Sequence, residues 1–104
     1  MMLNIFVTER AEESLSEIID FYLSKYTIER TKKILDSIDD AFVKIAKSPF
    51  HFPVCFDIRT PQTNTRQFLL HNTFKIIYRI QPNTIEIIEI FHGKRNPEII
   101  KDVD

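Results

Sequence analysis

The sequence is poor in the residues that build several common kinds of functional site. Its 104 residues include one cysteine, one glycine and no tryptophan. A single cysteine, Cys55, excludes an internal disulfide and a cysteine-based metal cluster, so a reducing cytoplasm is the expected compartment. The single glycine, Gly93, excludes the glycine-rich loops that cradle nucleotide phosphates. The three histidines are far apart in sequence, and we therefore expect no metal site and no cofactor.

Long hydrophobic runs and a strong net charge are missing as well. No apolar run approaches the roughly 20 residues of a membrane helix, and the N-terminus has no basic lead followed by an apolar core. We therefore expect neither a membrane span nor a signal peptide. The formal net charge of −1 and the hydrophobic content of 43% are typical of an ordinary globular protein. At this length we expect one domain, residues 1–104, with one core.

Two amphipathic helices are predicted in the first half of the chain. Residues 2–7 are apolar and partly β-branched, which predicts a first strand. Thr8 and Thr27 are each suited to cap a helix that follows, because a hydroxyl can accept a hydrogen bond from a free amide of the first turn. The second helix should end near Lys47, because Pro49 disfavours helical backbone in the residue before it. The apolar positions recur at helical spacing in both segments: Ala11, Leu15, Ile18, Ile19, Tyr22 and Tyr26, then Ile34, Leu35, Ile38, Ala41, Phe42, Ile45 and Ala46.

Three strands are predicted in the second half, after a proline-rich loop at 48–64 that includes a short extended piece near 54–58. The strand-like runs are 66–71, 74–80 and 85–91, with turns predicted at Asn72-Thr73 and Pro82-Asn83. The last run is apolar on both faces, which favours a central strand. Residues 97–101 are a candidate for a final short helix.

This order of elements predicts an α+β fold. A helical hairpin should pack on one face of a small, mainly antiparallel sheet, in the order β-α-α-β-β-β. The other face of the sheet should be less covered and should present Lys75 and Arg79.

Basic residues are concentrated late in the chain, where residues 59–95 contain six Lys or Arg and two Glu. We expect Gly93 to take a positive φ in a turn after the last strand, which would expose Lys94 and Arg95 beside His92. An imidazole near several guanidinium groups is suited to cleaving RNA without a metal. The candidate catalytic residues are then His92, Arg79 and Arg66, and the candidates for binding a substrate or target are Arg59, Tyr78, Lys94 and Arg95. The alternative is that His92 is structural, and the Cys55 thiol is expected to be buried and inert.

The ordered set of short motifs resembles the RelE/ParE superfamily of toxins from bacterial type II toxin–antitoxin systems. The resemblance covers nearly the whole chain, and the most specific motif is its ending. The matching motifs are Ala11-x-x-x-Leu15-x-x-Ile18-x-x-x-Tyr22, Ile38-x-x-Ala41 leading to Ser48-Pro49, Arg66-x-Phe68, Phe74-x-Ile76-x-Tyr78-x-Ile80 and Ile88-x-x-Phe91-His92-Gly93-Lys94-Arg95-Asn96-Pro97.

The helical hairpin and the motif on its first helix look more like the ParE branch. That resemblance implies a toxin that inhibits growth by binding a protein target, DNA gyrase, and that is neutralised by a cognate antitoxin. A RelE-like toxin would instead be a metal-independent endoribonuclease that cleaves mRNA on the ribosome. The tail at 97–104 is acidic and contains no tyrosine or arginine, which counts against the nuclease. A third alternative is an inactive interaction module.

Overall fold

The computed structural model describes residues 3–55 and 65–93. Within these ranges the chain forms two helices and four strands. In chain order they are β1 (Asn4–Val7), α1 (Glu9–Lys25), α2 (Ile28–Lys47), β2 (Thr65–Leu70), β3 (Phe74–Ile80) and β4 (Thr84–His92). The α+β fold and the element order predicted from the sequence are confirmed, while the candidate helix at 97–101 lies outside the described residues.

Both helices begin at the predicted caps. The Thr8 hydroxyl accepts a hydrogen bond from the amide of Ala11 at 3.2 Å, and the Thr27 hydroxyl accepts one from the amide of Arg30 at 3.1 Å. Each capping hydroxyl satisfies an amide that the helix itself leaves without a partner. α2 ends at Lys47, as predicted, because Pro49 disfavours helical backbone at Ser48. Neither helix of the described residues is long and apolar enough to cross a membrane.

The four strands form one mixed sheet in the order β1-β4-β3-β2. β2 and β3 pair antiparallel, as do β3 and β4, whereas β1 lies parallel to β4 with Asn4 opposite Thr84. β4 is therefore central, as its apolar sequence predicts. The parallel pair joins two segments about 80 positions apart in sequence, and both helices, β2 and β3 lie between them in the chain.

One face of the sheet packs against the helical hairpin. The buried side chains of this main core come from both helices and from three strands: Ala11, Ile18, Tyr22, Ile38, Ala41, Ile45, Phe68, Leu70, Phe74, Ile76, Tyr78, Ile85, Ile87 and Ile90. The other face was expected to be less covered, and this expectation is wrong at its centre. Ile77, Ile88, Phe91 and Cys55 form a second buried cluster there, and Lys75 is buried too.

β4 contains a β-bulge, and its apolar residues are buried on both faces of the sheet. The register with β3 shifts between Ile77 and Tyr78, so that Glu89 lies opposite Ile77 and Ile87 lies opposite Tyr78. Ile88 is the extra residue, and it joins the second cluster whereas Ile87 and Ile90 join the main core. The strict alternation of a regular strand is therefore interrupted once.

The turn between β2 and β3 is centred one residue earlier than predicted. His71 and Asn72 both have a φ of 54°, and the amide of Thr73 donates to the carbonyl of Leu70 at 3.0 Å. Two successive positive φ angles characterise a type I′ turn, whose twist matches that of the strands it joins. Gly93, by contrast, does not have a positive φ, which corrects the prediction made for it.

Candidate functional site

Arg66 and Tyr78 lie side by side on the helix-covered face of the sheet. They are register partners on β2 and β3. Arg66 Nη1 donates to the carbonyls of Phe52 at 2.6 Å and Phe50 at 3.3 Å, and the Tyr78 hydroxyl donates to the carbonyl of Pro49 at 2.6 Å. Both side chains therefore hold residues 48–55, a segment called the proline loop below.

The Tyr78 phenol is fully buried at this junction. Burial raises the pKa of Tyr78 to about 12, and the nearby Arg66 guanidinium lowers it by a smaller amount. The phenol is therefore neutral at physiological pH and acts as a hydrogen-bond donor. It is poorly matched to a general base, which works best when its pKa lies near the operating pH.

Arg79 is paired with a carboxylate of the neighbouring strand. It lies opposite Glu86 in the β3–β4 register, and its Nε and Nη2 donate to Glu86 Oε1 at 3.1 Å and 2.5 Å. Cross-strand pairs of opposite charge stabilise a sheet. The guanidinium charge of Arg79 is largely balanced by this partner, which leaves it less suited to holding a phosphate.

His92 is packed among aromatic rings and is only 4% exposed. Its ring stacks on Phe74 with centroids 4.8 Å apart, and it also contacts Tyr22 at 5.3 Å and Phe21 at 5.0 Å. The next residue continues this close packing, because the amide of Gly93 donates to the carbonyl of Thr73 at 2.9 Å. The prediction placed the imidazole beside Lys94 and Arg95, which lie outside the described residues; the ring contacts seen for His92 are with Phe21, Tyr22 and Phe74.

The structure does not bring His92 together with Arg66 and Arg79. His92 is the register partner of Phe74, at the start of β3, whereas Arg66 is the partner of Tyr78. Phe74 and Tyr78 are four residues apart on one strand, which separates the two positions by about 13 Å. Arg59, Lys94 and Arg95 lie outside the described residues, so the structure adds nothing on these three candidates.

Glu89 is a buried charged residue that the sequence analysis did not select. Its side chain is 5% exposed, and Arg10, which is 75% exposed, donates from Nε to Glu89 Oε2 at 2.6 Å. The Ser14 hydroxyl and the amide of Ile90 donate to the other carboxylate oxygen. The sequence did contain an indication of this site, because an acidic residue within the apolar run Ile85–Phe91 needs polar partners if it is buried. It joins β4 to α1.

Comparison with known families identifies the chain. A family profile described as the ParE toxin of the type II toxin–antitoxin system parDE matches residues 5–97. The chain belongs to the ParE toxin family. It is thus a toxin of the RelE/ParE superfamily and of its ParE-like branch, as the motifs predicted. No curated protein sequence matches it.

Solved structures share the fold of this ParE-family chain at low sequence identity. A chain of the chromosomal ParDE system from P. aeruginosa is 18% identical with a TM-score of 0.71, and the match covers 88% of this chain and 96% of that one. A chain of the RelBE2 toxin–antitoxin complex from Mycobacterium tuberculosis is 17% identical with a TM-score of 0.56, covering 88% and 99%. A mutant E. coli RelE toxin in the free state is 11% identical with a TM-score of 0.54, covering 99% and 96%.

The four described candidates therefore have partners within the chain. Arg66 and Tyr78 hold the proline loop, Arg79 pairs with Glu86, and His92 is part of an aromatic cluster. Such an arrangement is suited to presenting a rigid surface. Among the residues that the structure describes, the imidazole of His92 does not lie beside the guanidinium groups of Arg66 and Arg79.

Proposed function

We propose that this ParE-family toxin inhibits bacterial growth by binding DNA gyrase, without making or breaking a covalent bond itself. The observation that carries the proposal is the family match over residues 5–97, together with the resemblance of the hairpin motifs to the gyrase-directed branch. The engagement of Arg66, Arg79 and His92 within the chain supports it, because a binding toxin needs no free general acid or base.

The cognate antitoxin is the second proposed partner. The neighbouring folds are described as a ParDE system and a RelBE2 toxin–antitoxin complex. We propose that a small antitoxin encoded beside this chain binds the hairpin and the sheet, and that both proteins act in the cytoplasm. β1, a four-residue strand with a partner on one side in the described sheet, provides backbone groups for an added strand.

Induced expression in bacteria tests the proposed mode of action. Growth should stop, and incorporation of labelled thymidine should fall before incorporation of labelled methionine. Purified protein should inhibit supercoiling by DNA gyrase in the absence of ribosomes. If methionine incorporation falls first and mRNA is cut on the ribosome, the RelE-like alternative is correct; if growth continues, the chain is an inactive interaction module.

Two substitutions separate binding from RNA cleavage. His92→Phe keeps a ring among Phe21, Tyr22 and Phe74 but removes the imidazole, and Arg79→Gln removes the charge that faces Glu86. A gyrase-binding toxin should keep its growth arrest in both variants. Loss of arrest in a folded His92→Phe protein, accompanied by loss of mRNA cleavage, would contradict the proposal.

A further inference from the structure

The proline loop presents a phenylalanine to solvent on a firmly held backbone. Phe50 is 69% exposed, whereas the ring of Phe52, two residues later, packs edge-on against Phe68 at 4.7 Å. The loop therefore directs one ring into the core and another outward. Burial of the Phe50 ring on a partner would be favourable, because its apolar surface favours removal from water.

Hydrogen bonds hold this loop along its whole length. The amide of His51 donates to the carbonyl of Ser48 at 3.1 Å, and the amide of Gln67 donates to the carbonyl of Pro53 at 3.0 Å. The amide of Cys55 donates to the carbonyl of Thr65 at 2.8 Å. With Arg66 and Tyr78 bonded to the loop carbonyls described above, and with φ fixed at two prolines, the backbone that carries Phe50 is preorganised.

Cations outnumber acids in the part of the sequence that contains Phe50. The whole sequence between Asp40 and Glu86 contains six Lys or Arg against a single acid, Asp57, which lies outside the described residues. Lys44 and Lys47 are exposed on the last turn of α2, next to the loop. A partner that covers this surface therefore requires an apolar pocket for the ring and carboxylates around it.

We propose that Phe50 is the anchor by which the toxin docks into an apolar, acid-rimmed pocket of its target protein, with Lys44 and Lys47 contacting the rim. The inference rests on the proposed binding function and identifies the part of the toxin that contacts the target. A rigid aromatic side chain at the centre of a contact is the feature that dominates binding energy in protein interfaces. The guanidinium of Arg66, with Cζ 5.3 Å from the centroid of the Phe50 ring, donates to loop carbonyls, which favours a protein pocket over a phosphate backbone.

The test measures inhibition of purified E. coli DNA gyrase in a supercoiling assay. Phe50→Ala should raise the half-inhibitory concentration by at least about tenfold. Phe6→Ala is the matched control, because Phe6 is 55% exposed and lies on β1, at the opposite edge of the sheet from the strand that the loop borders. It should shift the half-inhibitory concentration by less than about twofold, since scattered exposed apolar residues carry little binding energy.

Two charge-reversal variants test whether Lys47 contacts acidic groups at the rim of the target pocket. Lys47→Glu and Lys33→Glu make the same change at two exposed positions of α2 that lie about 21 Å apart along the helix. Lys47→Glu should weaken inhibition by about threefold or more at low salt and by less at high salt, whereas Lys33→Glu should not. Circular dichroism and thermal unfolding of every variant establish that the fold is intact.

The outcomes distinguish this inference from the proposed function. If the wild-type protein and Phe50→Ala inhibit gyrase equally well, Phe50 is not the anchor, whereas the proposed inhibition of gyrase is supported. If the wild-type protein does not inhibit gyrase, gyrase is not the target, and the role of Phe50 is tested by growth arrest instead. Arrest that is lost in Phe50→Ala and kept in Phe6→Ala supports Phe50 as the anchor. Arrest that is kept in both variants overturns it. Binding of labelled single-stranded RNA that is lost in Phe50→Ala would also overturn it, since the ring would then stack on bases.

Discussion

Replacing Tyr78 with phenylalanine removes one hydroxyl from the buried junction between β3 and the proline loop. That hydroxyl donates to the carbonyl of Pro49 at 2.6 Å from a fully buried side chain. Loss of a neutral hydrogen bond of this kind costs about 0.5–1.5 kcal/mol, because the carbonyl loses its donor in a place with little water. We expect Tyr78→Phe to lower the free energy of unfolding by about 1 kcal/mol at neutral pH.

At alkaline pH the difference in unfolding free energy between Tyr78→Phe and the wild-type protein should change sign. The pKa of Tyr78 is raised from 10.0 to about 12 in the folded protein. The stabilisation from this raised pKa is fully present below about pH 10, and it is lost as the pH rises towards 12, because the unfolded chain releases a proton that the folded chain retains. At about 1.36 kcal/mol per pH unit, the wild-type protein loses about 1.4 kcal/mol by pH 11. The variant has no such proton, so its stability curve should cross that of the wild type between about pH 10 and pH 11.

Urea unfolding followed by far-ultraviolet circular dichroism measures both effects, since the chain has no tryptophan to report by fluorescence. Unfolding free energies of the two proteins are compared at about pH 7, 9, 10 and 11. All other side chains are the same in the two proteins, so their contributions cancel in the comparison. Two curves that stay parallel from pH 9 to pH 11 would refute the buried, neutral phenol inferred for Tyr78.

Two further substitutions test other parts of the fold by the same unfolding measurement. Ser14→Ala removes a donor to the buried Glu89 carboxylate and should cost about 1.5–2 kcal/mol, whereas Arg10→Ala, whose side chain is mostly exposed, should cost less than about 1 kcal/mol; equal costs would contradict the unequal burial of the two donors. His71→Gly relieves a positive φ and should stabilise the protein by about 0.5 kcal/mol, whereas Thr73→Gly, where φ is not positive, should destabilise it by about 0.5–1 kcal/mol; a destabilised His71→Gly would argue against the type I′ turn.

Local signals in the sequence predicted the elements well. The caps at Thr8 and Thr27 and the end of α2 before Pro49 depend on residues within a few positions of one another. Such signals are decided by backbone geometry close by in the chain, so they do not require knowledge of the tertiary structure.

The candidate site was harder to predict, because its residues are arranged by distant contacts. The partners of Arg66 are backbone carbonyls of the proline loop, which have no sequence signature. The environment of His92 combines α1 with β3, and the parallel pairing of β1 depends on residues at 84–87. A motif such as His92-Gly93 thus indicated the family correctly but did not indicate where the imidazole would lie.

The parallel pairing of β1 with β4 determines when this toxin becomes complete during its own synthesis. Asn4–Val7 is made about 80 residues before the strand segment at 84–87 beside which it lies. We expect the helical hairpin to form before the sheet, because local contacts form faster than distant ones. The sheet that supports the proline loop is completed only after β4 has been made, so β1 has no partner strand while both helices, β2 and β3 are synthesised.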